Sequence, residues 1–245
     1  MTNDSNVPKL PTRKPWAERL RAVWPTYSEY GPANTLAITI WAIFPEWMLS
    51  GQACFVLFRD FTERPQGTDA ESGVRPFQPE DQPRIAHFDN NSWDYFKQMP
   101  KEDWDGFVLE VDGEPVATTW FHRRHFNPFS WLDFTVPSGA IAHSNHVVSP
   151  PHRRKGYPTI MRNFALRRYI EEGFTCYFSS IDTINIAARR FSARTGSKIV
   201  GRLWYVNVFG LKLVGHDGKL RLGRWNADRK LIIPLSLPDF HTHRD

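Results

Sequence analysis

The stretch VVSPPHRRKGYPTIMRNFALRRYIEEGF, residues 147–174, decides how this chain folds. It opens on the end of a β-type run, 141–148, which breaks at Ser149-Pro150. A basic loop follows: His152, Arg153, Arg154, Lys155, Gly156. A helix should start near Pro158, because proline suits the first helical position, where its missing N–H would be unpaired anyway. Ile160, Met161, Phe164, Ala165 and Tyr169 give that helix one apolar face until Gly173 stops it. In physical terms a strand feeding a basic, glycine-containing loop onto a helix is an anion site. The first-turn N–H groups point outward unpaired, and the helix dipole adds partial positive charge. Gly156 permits close backbone approach, and Arg153, Arg154 and Lys155 add full charges. Neither GxxxxGK[ST] nor GxGxxG is present. Taken alone, the loop reads equally well as a solvated basic turn.

Outward from this unit the chain alternates strands and helices. Phe174–Ser180 reads as a strand. Asp182, Thr183 and Asn185 are cap-type residues ahead of a helix over Ile186–Arg194, ended by Gly196. Ile199–Leu213 reads as one strand, with further strand signals at Lys219–Leu222 and Leu231–Leu235. Upstream, FVLEVDGEPVATTWF (107–121) is a hairpin about Asp112-Gly113, a dipeptide that supplies the positive φ of a tight turn. Another strand is expected around Phe129–Val136, with a turn at Pro137-Ser138-Gly139. Residues 53–61 form a short strand, 62–84 a connection, and 80–104 one or two short helices. The pattern predicts an α/β fold with a mixed sheet.

The run 147–174, followed by INIAARRFSARTGS at 184–197, resembles the GNAT superfamily of acyl-CoA-dependent N-acyltransferases. In that family a Val-x-Pro-like strand end leads into an Arg/Gln-x-x-Gly-x-Gly/Ala loop, which binds the coenzyme A pyrophosphate at the head of a helix. Arg153, Gly156 and Pro158 occupy the three motif positions here. Asn185, Ala188 and Gly196 fall where the second helix of the family carries its Asn, Ala and terminal Gly. The resemblance covers residues 105–210, with 141–197 its specific part. It implies a GNAT-like mixed central β-sheet flanked by helices, with an N-terminal helical extension. The chain then divides into a flexible tail (1–15), an N-terminal helical segment (16–50) and an acyltransferase domain (51–245). The resemblance further implies acetyl-CoA or a longer acyl-CoA as co-substrate. It would be held by Arg153, Arg154, Lys155, Gly156, Tyr157, Thr159 and Asn185, with the N–H groups of Val147 and Val148 polarising the thioester carbonyl.

There are departures. Pro158 removes an N–H that normally reaches the phosphate, so Tyr157, Thr159 or Ile160 must compensate. Ser192 stands where the family often has a Tyr acting as acid to the departing thiolate. Gly196-Ser197 replaces Gly-Phe. The core strand carries no carboxylate base and offers His143, Asn145 and His146 instead.

Acyl transfer needs a neutral amine, since an alkylammonium with a pKa of roughly 10 has no lone pair. A histidine, with an ordinary pKa near 6.5, can take that proton directly or through water. His143 and His146 are three apart, so in a regular strand they face opposite sides, and only a bulge would bring them together. His146, nearer the strand end, is the favoured base, and a structural role for either ring stays open. Ser192 is a poor acid, suited to hydrogen-bonding sulfur or to being replaced by water. His122-x-x-His125, His143-x-x-His146 and His241-x-His243 are not completed by Cys or paired carboxylates, so no metal is expected. His122, Arg123, Arg124 and His125 read as a basic hairpin end facing solvent or an anionic substrate.

Composition bounds the rest. Apolar residues at 41% and charged residues at 23% describe a globular chain, not a disordered one. No run of 18 uncharged apolar residues exists, and the polar, Pro-rich start lacks an apolar h-region. Cys54 and Cys176, both in strand-like runs, are expected to be reduced core thiols in a cytoplasmic protein. The net charge of +5 suits an anionic ligand, a membrane surface or nucleic acid, and ten Trp and eighteen Phe suggest rings lining a pocket or interface. Gly31–Pro45 carries no charge, yet as a helix it would span roughly 20 Å, short of a bilayer core. It reads either as an interfacial helix anchored by Trp41 and Trp47, or as a hairpin packed on the main domain or on a second copy in a homodimer. The first reading places the protein peripherally on the inner face of a membrane. It favours a lipid-like amine such as a long-chain sphingoid base, as for the bacterial ceramide synthases, which are GNAT-like. The alternatives are a soluble amine or an amino sugar of surface-polysaccharide synthesis and, in another class, a basic nucleic-acid-binding module without catalysis. Against the last, the basic residues cluster at one helix start with no interleaved aromatic stripe, so no nucleic-acid partner is expected.

Overall fold

The apolar run on either side of Asp112-Gly113 does form a hairpin, and the rest of the large sheet is built outward from it. In the computed structural model, residues 48–61 and 73–237 are described. The expectations for the tail 1–15 and for 16–47 lie outside those residues. The strands are β1 (Leu49–Asp60), β2 (Val74–Pro76), β3 (Trp104–Val111), β4 (Glu114–His122), β5 (His125–Phe129), β6 (Leu132–Thr135), β7 (Ala140–Val148), β8 (Cys176–Asp182), β9 (Lys198–Val208), β10 (Leu211–His216), β11 (Lys219–Gly223) and β12 (Leu231–Pro234). The α-helices are α1 (Gln82–Phe96), α2 (Tyr157–Glu171) and α3 (Ile186–Arg194). Nine strands form one sheet in the order β11-β10-β9-β1-β8-β7-β4-β3-β2, and β12-β6-β5 form a second. In the large sheet β7 and β8 run parallel and the pairs on either side of them are antiparallel.

Several boundaries differ from the sequence reading, each for a physical reason. The first strand starts at Leu49, so the end of the 16–50 segment is strand, held by pairing of Leu49–Ala53 with Val208–Trp204 of β9. Ile199–Leu213 is two strands, β9 and β10, turned at Phe209-Gly210 with φ of 48° and 82°. A Phe in the left-handed region is an uncommon turn former, and that hid the break. The strand expected at 129–136 is a hairpin, β5 and β6, on the small sheet. Gly156 caps α2 in the left-handed conformation (φ 80°), so Pro158 takes the second helical position and Tyr157 the first.

The two faces of the central strands are covered differently. On one, Met161, Ala165, Leu166 and Tyr169 of α2 pack on Phe107, Phe121, Ile141 and Tyr177. On the other, Phe126, Leu132 and Phe134 of the small sheet pack on Val56, Phe58, Ala142 and Phe178. Cys54 and Cys176 are free and buried in this second layer, and burial pushes the Cys54 thiol up to about 12. Helix α1 covers β3 and β4 through Ile85 and Phe96 against Trp104, Val108 and Trp120.

Gly106 shows how tight this layer is. A Cβ there would sit 2.6 and 2.8 Å from ring atoms of Trp120, which is fully buried and stacked on Phe96. Gly106→Ala is expected to destabilise the protein by about 1–3 kcal/mol through overpacking. Equilibrium denaturation would show it, and an unchanged midpoint would mean the indole can shift freely.

Candidate active site

The two parallel strands pair only over their first halves. Ala140–His143 of β7 matches Cys176–Ser179 of β8 and the ladder then ends. Beyond it, β7 continues against β4 and β8 against β1, so the strands part. A cavity of about 410 Å³ occupies the opening. Its walls are His143–His146 of β7 and Ser179–Asp182 of β8, with Pro158, Arg162 and Leu166 from α2 and Ala188, Phe191 and Ser192 from α3.

A bulge decides what β7 presents to this cavity. On β4, Phe121 pairs with His143 and Trp120 with Asn145, so Ser144 is the extra residue. Thr119 pairs with His146. Phe121 and Thr119 are two apart on a regular strand and share a face, so their partners share it too. His143 and His146 therefore lie in one cavity, with ring centroids 4.2 Å apart, and the regular-strand expectation of opposite faces is overturned. The cause is pairing with β4, which no local pattern in 141–148 reveals. Asn145 turns the other way, where its Nδ2 donates to Ser92 Oγ of α1 at 3.1 Å.

Hydrogen bonding orients His143. The Thr119 hydroxyl donates to the Asn145 carbonyl at 3.1 Å and lies 3.2 Å from His143 Nε2. With its one proton committed, Thr119 can only accept from the ring, so Nε2 carries the hydrogen and Nδ1 keeps the lone pair. Both histidines keep some surface open to the cavity yet are enclosed by protein. Burial pushes His143 down to about 4, against the opposing effect of the Asn145 carbonyl and helped by the charge of Arg162. Burial, with His143 and Arg162 adding to it, holds His146 well below the ordinary histidine range. Both rings are neutral near pH 7 and present lone pairs.

The basic loop stands at the head of α2, and Arg153, Arg154, Lys155 and Gly156 are exposed. Arg154 adopts φ 66°, and Arg153 Nε donates to the Val148 carbonyl at 3.4 Å. A Cβ on Gly156 would meet no atom within 4 Å, so the backbone angle, not crowding, calls for glycine there. The N–H groups of Thr159 and Ile160 both donate to the Gly156 carbonyl, at 2.9 and 3.4 Å. Of the three residues expected to compensate for Pro158, Tyr157 alone has an N–H that makes no backbone hydrogen bond among the described residues. Val147 and Val148 pair with Thr118 and Ala117 on β4, while β8 has already diverged from their other edge. Asn185 lines the cavity, but its Oδ1 accepts from Ala188 N at 3.0 Å and so caps α3. Ser192 is buried in the cavity wall.

In the His122–His125 cluster, Arg124 and His125 are exposed as expected, but His122 does not face solvent. His122 is fully buried against Phe96 and Phe126 and is pushed down to about 3 by burial. Arg123 bonds Asp105 and Glu172, each at 2.8 Å, Arg124 lies 3.3 Å from Asp103, and His125 lies 3.5 Å from Asp133. Both faces of β4 are covered, so His122 is buried with the rest of the strand, and the acidic partners of Arg123 come from elements far apart in the chain. His241 and His243 lie outside the described residues. Among those described, no group of three or more His, Cys, Asp or Glu is placed to hold a metal ion.

A family model described as the acetyltransferase (GNAT) family matches residues 70–196, which include the basic loop, the bulged strand and both cavity helices. The chain belongs to the GNAT family. The mixed α/β sheet that parts between β7 and β8 is thus a GNAT fold. Among solved structures, the chain is similar to a GNAT-family protein from Novosphingobium aromaticivorans (12% identity, 68% of this chain and 65% of that one, TM-score 0.49). It is also similar to a GCN5-related N-acetyltransferase from Sphaerobacter thermophilus (14% identity, 78% and 68%, TM-score 0.45). A third is an aminoglycoside N-acetyltransferase solved with CoA (16% identity, 50% and 89%, TM-score 0.40). The chain therefore spans just under two thirds of the Novosphingobium protein. No curated protein matches it. Within this GNAT chain, the sequence reading passed over Arg162 and Phe191 as cavity residues and Thr119 as the partner of His143. A signal existed for Arg162, a charge lying one residue from Met161 and four from Leu166 on the apolar face of α2.

Proposed function

We propose that this GNAT protein is an N-acyltransferase that moves an acyl group from a coenzyme A thioester to a primary amine. The observation that carries the reading is the pair of neutral histidines, brought together by the bulge at Ser144, in the opening between β7 and β8. One end of that opening leads to the head of α2, where Arg153, Arg154 and Lys155 and the Tyr157 N–H suit a pyrophosphate. Val147 and Val148, paired on one edge only, suit a thioester carbonyl.

In this scheme the amine nitrogen attacks the thioester carbon, its lone pair forms the C–N bond and the carbonyl electrons move to oxygen. Once bonded to that carbon the nitrogen is far more acidic than a free ammonium, so a histidine held low in pKa can take its proton. Collapse of the intermediate breaks the C–S bond and releases the coenzyme A thiolate, with Ser192 in the wall as a hydrogen-bond donor to sulfur.

For the acceptor, different observations favour different amines. The uncharged stretch 31–45 with its tryptophan flanks supports an amphiphilic amine such as a long-chain base taken from a membrane surface. A cavity lined by His143, His146, Arg162, Ser179, Ser180 and Ser192 supports a compact polar amine. No described helix is long and apolar enough to cross a membrane. Thiol release from acetyl-CoA and longer acyl-CoAs, measured against long-chain bases, amino sugars and small polar amines, tests the proposal. Amine-dependent release with any of them supports it, and release that never exceeds the amine-free rate defeats it.

A further inference from the structure

Arg162 is the feature of the cavity that N-acylation as such does not use. It lies in the middle of α2, is only 8% exposed, and lines the space that holds His143 and His146. Its Nη2 donates to Asn163 Oδ1 at 3.2 Å, while Nε and Nη1 are buried without a partner. The guanidinium stands over the Phe191 ring, 5.3 Å from its centroid. Among the described residues no carboxylate is hydrogen-bonded to it. Tyr177, whose hydroxyl also shares a hydrogen bond with Ser197 at 2.9 Å, interacts with the guanidinium, but a hydroxyl brings no countercharge. Asp182, on the far wall, accepts from Gln52 Nε2 at 2.6 Å and from Ile184 N at 3.1 Å. Arg59, whose charge acts on Arg162, donates to the Thr195 carbonyl. Asp182 holds its carboxylate on the opposite wall, and among the described residues no carboxylate forms an ion pair with Arg162; burying an unpaired cation is costly.

We propose that Arg162 is a receptor for a carboxylate on one of the reacting molecules, which makes this site selective for a ligand carrying a single negative charge beside its reacting group. The inference rests on the N-acyltransferase reading for its location but not for the binding itself. A carboxylate is favoured over a phosphate because one guanidinium balances one charge. A dianion would bring a second, unanswered charge against two neutral, enclosed histidines. The carboxylate can come from either reactant: an acyl group that is the half-thioester of a dicarboxylic acid, or an amino-acid acceptor.

Two arms of a kinetic experiment separate these sources. The first compares succinyl-CoA with butyryl-CoA, and the second compares α-amino acids with the amines that lack their carboxylate. The wild-type protein should prefer the carboxylate-bearing member by at least tenfold in kcat/KM in one arm. In Arg162→Met that preference should fall to near unity, and Arg162→Lys should restore part of it. A role in folding alone would not move this ratio. Direct binding is measured beside it, with monomethyl succinate and glycine as probes in a thermal-shift titration of wild type and Arg162→Met. Stabilisation of the wild type by either probe, lost in Arg162→Met, supports the proposal even if no donor is turned over, a result that would refute only the acyl-transfer reading. No carboxylate preference in either arm together with no stabilisation by either probe overturns it. So does an equal response in the Met variant. Should Arg162→Met fail to fold, Arg162→Lys and Arg162→Gln carry the same comparison.

Discussion

His146→Ala lowers the rate of acyl transfer by about 10²–10⁴ while acyl-CoA affinity changes only slightly, if His146 takes the amine proton. The pH profile carries the sharper information. His143 is pushed down to about 4 and His146 is also lowered, so the histidine limb of kcat/KM should lie below pH 6.5. The sign is that of a base: activity is lost as pH falls through the depressed pKa, and no histidine limb appears between pH 6.5 and 8. The same depression makes folding pH-dependent. A ring whose folded pKa lies below its unfolded value of roughly 6.5 loses stability as pH falls between the two. Circular dichroism must therefore accompany the acid limb. Because the bulge puts both rings in one cavity, His143→Ala can produce the same loss. A larger effect there would assign the proton to His143 Nδ1, the nitrogen left free by the contact with Thr119. Losses below about tenfold in both variants would exclude the histidines as bases and leave a water chain.

The second large effect concerns the loop. Arg153→Ala with Arg154→Ala is expected to weaken coenzyme A binding by about 1.5–3 kcal/mol for each charged hydrogen bond lost, read by calorimetry. Both side chains are exposed. Arg153 makes one long contact, 3.4 Å to the Val148 carbonyl, so little folding energy should be lost with them. The weakening should shrink as salt is raised, because exposed charges are screened. An unchanged affinity would remove this loop from the coenzyme A site. Since Thr159 and Ile160 already give their N–H groups to Gly156, the proposed coenzyme A site would rely on the arginines and the Tyr157 N–H for its anion contact.

What the sequence by itself determined about this protein is local. Asp112-Gly113 set the β3–β4 hairpin, since both residues take positive φ in a turn of that length. Asn185 started α3, because its side chain can accept from a first-turn N–H, and Gly196 followed the end of that helix in the left-handed conformation. The run 147–174 marked a helix behind a glycine-capped basic loop, and together with 184–197 it carried the resemblance to the GNAT family. These signals are legible because their partners lie within a few residues. The tertiary structure alone decided the contents of the cavity. Pairing of β7 with β4 across a bulge turned His146 to the side of His143, against simple alternation along β7. The end of the β7–β8 ladder at His143–Ser179 opened the space between them. The same packing buried His122 under Phe96 and Phe126, and carried Arg162 into the cavity with no carboxylate to meet it. Each of these depends on elements far apart in the chain, and strand register and charge pairing between such elements have no local period to read.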